Sequence, residues 1–496
     1  MSDSTSISTA DLAVLIVYLA GTTALGLWIG RKNTSAEQFT SASGKLPGWA
    51  VGLSIFGTFV SSISFLALPG KAYGSNWNAF VFSLSIPLAA WVAVKWFVPF
   101  YRSRGEVSAY HHLEARFGAW ARTYAVGCYL LTQLGRMGTI TYLLAIALQP
   151  LLGWSLTSII LLAGAIVLVY SFVGGIEAVI WTDALQSVVL IGGALACVIV
   201  LLMGVGDTGV FFEAPISEKF SLGDYGWSFA EPTFWVVLIY GLFINLQNFG
   251  IDQSYVQRYA TAKSESEAVK SVWLGSLLYV PISALFLFIG TALFAYYRTH
   301  SDLIPAGTPA DKVFPLFIKQ GLPVGVTGLL VAGIFAAAQS TLSSSVNCAA
   351  TLIHGDLYKR YFRPQASGRE SLWVLRISTL VFGVAGTLVA FKMIGAESAL
   401  DIWWKMAGIF SGGMLGLFLL GMLARSACGG AAAWGVALGV ALILWMTLSK
   451  LGTDVPEAWR SPFHDYLVPV FGTLTILITG FLITLLFQSK SASASK

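Results

Sequence analysis

"GLSIFGTFVSSISFLALPG" runs from Gly52 to Gly70 and is apolar enough for a membrane span, yet it carries internal glycine and a run of hydroxyls before Pro69. It reads as a poor helix in an apolar setting. A second such stretch, "GLFINLQNFGIDQ" (Gly241–Gln253), puts Asn245, Gln247, Asn248 and Asp252 in or beside another span. Interrupted helices at matching positions of two halves point to an inverted-repeat transporter, with its binding site between the halves near the membrane midplane.

The rest of the chain supplies those halves. Of its 496 residues 56% are hydrophobic and 11% charged, against roughly 45–50% and ~25% in soluble domains. This is the composition of an all-α polytopic membrane protein. Mostly apolar segments of about 18–25 residues, the length a bilayer core demands, fall near 11–29, 49–69, 79–101, 123–151, 155–172, 178–204, 232–250, 271–297, 323–354, 372–393, 400–424, 430–449 and 463–487. They predict about thirteen transmembrane helices. No Ser/Pro linker, low-complexity tract or charged run interrupts them, so residues 1–496 form one transmembrane domain. An extra helix (about 11–29) precedes a first repeat (about 49–204) and a second (about 232–424), and additional helices cover about 430–487. Spans two to six and seven to eleven then form two five-helix units, each opening on an interrupted helix. Residues 1–9 have no basic n-region, so the first span reads as uncleaved.

The net charge of +5 reports orientation. With the N-terminus outside, the loops containing Arg31, the Lys95–Arg122 region, Arg258, the Lys359–Arg376 region, Arg425 and the C-terminal tail are cytoplasmic. They hold about 19 basic residues against about 7 outside, as the positive-inside rule requires. This places the C-terminus in the cytoplasm and leaves no excess charge calling for nucleic acid. Cys128, Cys197, Cys348 and Cys428 stand singly without C-x-x-C spacing, which predicts neither disulfide nor zinc.

Chemistry-bearing residues concentrate in "FAAAQSTLSSSVN" (335–347) of the ninth span. At helical spacing Ser340, Ser343 and Ser344 share a face with Thr341 at its edge, while Ala336–Ala338 let another backbone approach. Hydroxyls and the freed carbonyls of a broken helix suit a hard cation such as sodium; small and hydroxyl residues also pack membrane helices together. Asp183, in the sixth span, is unfavourable at depth unless paired, and a bound cation would neutralise it. The alternative is an interfacial cap, the reading given to Glu177. Arg136 lies halfway along the fourth span with no carboxylate at i±3 or i±4 and with Gly135 and Gly138 beside it. Its planar fork suits a carboxylate, either a solute's or that of a distant acid in a buried pair. Asp401 and Lys405 read as a self-satisfied i, i+4 surface pair.

No G-x-x-x-x-G-K-[ST] is present, which argues against a nucleotide-driven pump. H-E-x-x-H and G-x-S-x-G are also absent, so an enzyme is the weaker class. A channel would not need two broken helices around one site, and a sensor would carry a signalling domain.

At these residues the chain resembles the sodium:solute symporter family, which has the LeuT-type fold of five-plus-five inverted repeats. "GGIEAVIWTDALQ" (174–186), "FAAAQSTLSSSVN" and "VQRY" (256–259) look like family signatures. Within the family, "LPGWAVGLSIFGTFVSSISFLALPGKAY" (46–73), "AYHHLEARF" (109–117) and "LGRMGTITYLLAIAL" (134–148) look most like the bacterial sialic acid symporters. The resemblance implies a first sodium site of Gly57, Val60 and Ala337 carbonyls with Ser340 and Thr341 hydroxyls. It implies a second of Asp183, Ser340, Ser343 and Ser344. It also implies that Arg136 holds the substrate carboxylate, with Ser61 and Ser64 beside the sugar acid and Thr58 in the same wall. Three positions depart from that branch: Phe59 replaces a threonine, Ala79 a covering phenylalanine, and Ser83 a glutamine. The expectation is a monomeric inner-membrane symporter that imports an anionic solute with two sodium ions. Sialic acid comes first, ahead of another sugar acid, a small monocarboxylate or a neutral sugar.

Overall fold

The computed structural model describes residues 7–395, 406–450 and 455–494. The expected pair Asp401 and Lys405 and the start of the eleventh span lie outside them. Among the described residues ten helices are long and apolar enough to cross a membrane, eleven when a bent pair in the second span is counted as one. The thirteen expected spans map onto helix wherever they are described, and the difference has two causes. The fifth and sixth share one 50-residue element, Leu156–Val205. Within it Gly175 adopts φ 56° and ψ −155°, outside helical geometry, so the chain turns there between two spans. A Cβ at Gly175 would lie 2.7 Å from the Phe39 carbonyl oxygen, and glycine alone fits both the dihedral and the space. The fourth, Ala119–Leu152, carries Arg122, Gln133, Arg136 and Gln149 and is less apolar than its neighbours.

Both interrupted helices break. The second span is Gly48–Phe59 followed by Ser62–Gly74, with Val60 and Ser61 extended between them. Pro69 is not the breaker; it lies inside the second half. The interruption falls nine residues earlier, where the Ser61 hydroxyl caps the new helix by accepting from Ser64 N–H. The seventh span is Phe234–Ile251 followed by Gln253–Thr261, with Asp252 extended and its carboxylate accepting from Ser254 N–H at 2.7 Å. Each break therefore supplies its own N-cap. The two breaks adjoin, because Phe59 packs edge-on against Phe249 and Tyr255 at centroid distances of 5.7 and 5.0 Å.

The ninth span, Val326–Leu352 continued by a π-helical turn Ile353–Phe362, is the most enclosed, with 89% of its apolar window buried. It packs against Leu156–Val205, Thr9–Gly30, Ala119–Leu152 and Gly368–Lys392. A helix surrounded by protein can carry hydroxyls on every side, and this one does.

Candidate functional site

Where the second and seventh spans break, a cavity of about 600 Å³ opens. Thr58, Phe59, Ser61 and Ser64 supply one wall, Gln133 and Arg136 of the fourth span another, and Asn248, Asp252 and Tyr255 a third. Its mouth reaches Lys450 and Asp465, between the last two spans. Arg136 donates from Nη2 to the Thr58 carbonyl at 3.3 Å, one of the carbonyls that the helix break frees. Among the described residues this is its only hydrogen bond, and no carboxylate lies within ion-pair distance. Four of the five guanidinium N–H groups are left for something in the cavity.

Phe59 stands in an aromatic wall with Tyr255 and Tyr279, the latter at 5.3 Å. Ala79 and Ser83 are not in the wall. Ser83 is buried, its hydroxyl paired with Ser283 at 2.7 Å, and Ala79 belongs to a 3₁₀ turn at the head of the third span. Phe82, next to Ser83, faces the cavity instead.

The residues expected around a first ion come together. An added Cβ at Gly57 would sit 2.8 Å from Ser340 Oγ and 3.3 Å from Ser187 Oγ, so the second and ninth spans touch here through backbone and hydroxyl. Val60, Ala337 and Thr341 are buried as well. Among the described residues the buried Ser340 hydroxyl has no hydrogen-bond partner, whereas Thr341 donates to the Ala337 carbonyl at 3.2 Å. An orphaned buried hydroxyl next to freed carbonyls fits a small hard cation.

The second expected set is also gathered, with an unexpected neighbour. Asp183 is wholly buried and lies inside the helix that follows the turn at Gly175, so it caps no helix end. Its Oδ2 accepts from Ser54 Oγ at 2.5 Å and from Arg258 Nη2 at 2.9 Å. Arg258 also donates to Ser344 Oγ at 2.7 Å, to Ser54 Oγ at 2.9 Å and to the Ser254 carbonyl, and Ser343 donates to the Ser340 carbonyl at 3.2 Å. The charge that balances Asp183 is therefore a guanidinium. Arg258 corrects the sequence reading twice: it is not in a cytoplasmic loop, and it occupies part of the set assigned to an ion. The other oxygen, Oδ1, is buried and has no hydrogen-bond partner among the described residues.

Comparison with known proteins decides what this arrangement belongs to. Residues 39–439 match the model of the sodium:solute symporter family. The chain belongs to that family. It is 34% identical to the sodium/sialic acid symporter SiaT of Proteus mirabilis (strain HI4320), over 96% of this chain and 95% of that protein. It is equally identical to the sodium/sialic acid symporter NanT of Aliivibrio fischeri (strain ATCC 700601 / ES114), over 98% and 95%. A solved structure of a Na⁺-coupled sialic acid symporter in a substrate-bound outward-open state superposes with a TM-score of 0.90 at 32% identity, covering 97% of this chain and 98% of that one. Mhp1, a nucleobase-cation-symport-1 family transporter, has the same fold, with a TM-score of 0.59 at 17% identity over 91% and 95%. This symporter is thus a multi-pass membrane transporter of the inverted-repeat class.

Sequence reasoning does not bring Arg258, Ser54 or Ser187 to the site, and it sets Asp252 in or beside a span without its place in the cavity wall. Arg258 lay within the quoted "VQRY" stretch, but a polar nine-residue helix beyond a span reads as a loop. Ser54 and Ser187 are single hydroxyls whose roles depend on helices 129 and 134 positions away in sequence.

Proposed function

We propose that this symporter carries a hydroxyl-rich carboxylic acid, N-acetylneuraminate first among candidates, inward with two sodium ions. The observation that carries the substrate class is Arg136, a guanidinium in the cavity wall with four N–H groups uncommitted. A carboxylate takes them in bidentate geometry. The relatives named for sodium and sialic acid support the same solute. Asp252 narrows the choice. It lines the same cavity, where its Oδ1 accepts from the Ser254 N–H. Its carboxylate can also accept from the hydroxyls of a polyol arm, contacts that a small monocarboxylate has few groups to make, so a sugar acid fits better than lactate-like solutes.

The first sodium binds between the Gly57, Val60 and Ala337 carbonyls and the Ser340 and Thr341 hydroxyls. The second takes Asp183 Oδ1 with Ser340, Ser343 and Ser344, while Arg258 keeps Oδ2. Ser344 can still offer a lone pair while accepting from Arg258. Two sodium ions with one monoanion move net positive charge inward, so the membrane potential adds roughly 2.3 kcal/mol per 100 mV to the driving force. Coupling follows if both ions and the solute favour the same state, and that preference is reciprocal.

The arginine-rich face around Arg122 and Arg360 is cytoplasmic by the positive-inside rule. The cavity, whose mouth lies at the opposite end, then opens outward from the inner membrane, with the N-terminus outside, the C-terminus inside and a single chain as the working unit. Equilibrium binding in saturating sodium tests the substrate class. N-acetylneuraminate should bind, its methyl ester should bind at least tenfold more weakly, and lactate and glucose should not compete at tenfold excess. An ester binding as well as the acid would remove the carboxylate-reading role of Arg136.

A further inference from the structure

On the ninth span Ser344, Asn347, Thr351 and His354 recur at steps of three, four and three residues, which aligns them on one helix face. All four are buried, none more than 6% exposed. At 1.5 Å per residue the face runs about 15 Å, starting beside Asp183 and Arg258. It ends at a second cavity, of about 260 Å³, walled by Thr351, His354 and Asp356 with Thr40 and Arg122 opposite. Among the described residues, Asn347 Nδ2, His354 Nε2 and Asp356 Oδ2 along it are buried and have no hydrogen-bond partner. Unpartnered polar groups inside a protein are unfavourable and infrequent. A file of them between an ion site and a cavity is the lining expected of a path for a hydrated cation.

One side chain crosses the file. Gln257 Nε2 donates to the Thr40 carbonyl at 2.7 Å, to Asn347 Oδ1 at 3.0 Å and to Thr351 Oγ1 at 3.1 Å. With two N–H hydrogens shared among three acceptors, the amide ties the Gln253–Thr261 half-helix to the ninth span and to the short helix Ala36–Ser41. Its neighbour Arg258 holds Asp183. A movement of this half-helix away from the ninth span therefore breaks the Gln257 contacts and draws Arg258 from the ion site in one step.

We propose that the Ser344–Asn347–Thr351–His354 face is the route by which sodium leaves its site for the cytoplasmic cavity, and that Gln257 is the plug that closes it in the outward-open state. This rests on the ion sites and orientation proposed above. The test uses full-length protein in oriented proteoliposomes, with Cys428→Ser removing the exposed native thiol. A Thr351→Cys reporter is labelled by a positively charged thiol reagent added at the Arg122 face. Labelling should be slow with Gln257 present and at least tenfold faster in Gln257→Ala and Gln257→Leu, the latter removing the bonds at nearly constant volume. Asn347→Leu, which makes the path apolar, should keep sodium-dependent solute binding and lower uptake at least tenfold, and Asn347→Ser should restore uptake. Labelling indifferent to Gln257 overturns the plug. Unchanged uptake in Asn347→Leu, or binding lost equally in Asn347→Leu and Asn347→Ser, overturns the route. Solute binding by the unsubstituted protein that ignores sodium overturns the ion-site reading itself, a result distinct from the other three.

Discussion

Arg258 Nη2 lies 2.9 Å from Asp183 Oδ2, and both side chains are fully buried. The pair joins the second half of the broken seventh span to the sixth span, and through Ser54 and Ser344 it reaches the second and ninth. The second, sixth, seventh and ninth spans, which carry the proposed ion ligands, thus meet at this contact.

Breaking the pair leaves one charge uncompensated. Arg258→Gln and Asp183→Asn should each lower stability by about 3–5 kcal/mol in the absence of sodium, the usual range for one partner lost from a buried pair. The two variants differ in their response to sodium. In Arg258→Gln the ion is the only remaining counter-charge for Asp183, so sodium should raise the melting temperature more than it does in the unsubstituted protein. In Asp183→Asn it should raise it less, and the sodium Hill coefficient for uptake should fall toward one. Equal sodium shifts in both variants would separate the pair from ion binding.

Ser340 and Thr341 supply the two hydroxyls of the first ion site proposed here. Ser340→Ala and Thr341→Ala remove one ligand oxygen each with little change of volume. The sodium concentration for half-maximal uptake should rise about tenfold, the equivalent of ~1.4 kcal/mol, with the folded fraction unchanged. Unaltered sodium dependence in both returns this face to helix packing.

Much of this architecture is legible in the sequence because the membrane makes it so. The breaks at Val60–Ser61 and Asp252 show as hydroxyl, glycine and amide clusters where lipid would demand unbroken apolar helix. The Ser340–Ser344 face and Arg136 show for the same reason. Arg258 does not. It follows a span on a short polar helix, and only tertiary packing carries that helix into the core beside Asp183. The resemblance places Ala79 and Ser83 at the cavity, but the direction of a side chain depends on the local turn. There the backbone points Phe82 inward and spends the Ser83 hydroxyl on Ser283.

A methyl group at Gly57 would lie 2.8 Å from Ser340 Oγ, and a serine hydroxyl can rotate away from it. Gly57→Ala should therefore fold and insert yet bind sodium at least tenfold more weakly, because the hydroxyl that moves is a ligand in the proposed first ion site. Binding assayed by sodium-induced thermal shift distinguishes this from a packing defect. A defect lowers stability at zero sodium; displacement of the ligand lowers the sodium increment.

Arg136→Ala should raise the half-saturating solute concentration about 100-fold, from loss of charged hydrogen bonds worth ~3 kcal/mol. Arg136→Lys should recover little, since an ammonium lacks the fork geometry. Full recovery by lysine would mean that the cavity requires only a positive charge, which initial-rate uptake over a range of solute concentrations would reveal.

The most direct measurement is uptake of labelled N-acetylneuraminate into proteoliposomes, with and without an inward sodium gradient, at zero and at inside-negative potential. The account predicts accumulation above the external concentration only when the gradient is present, a further increase with negative potential, and a sodium Hill coefficient above one. Equal uptake after the sodium gradient is collapsed, or electroneutral uptake with a coefficient of one, would contradict it.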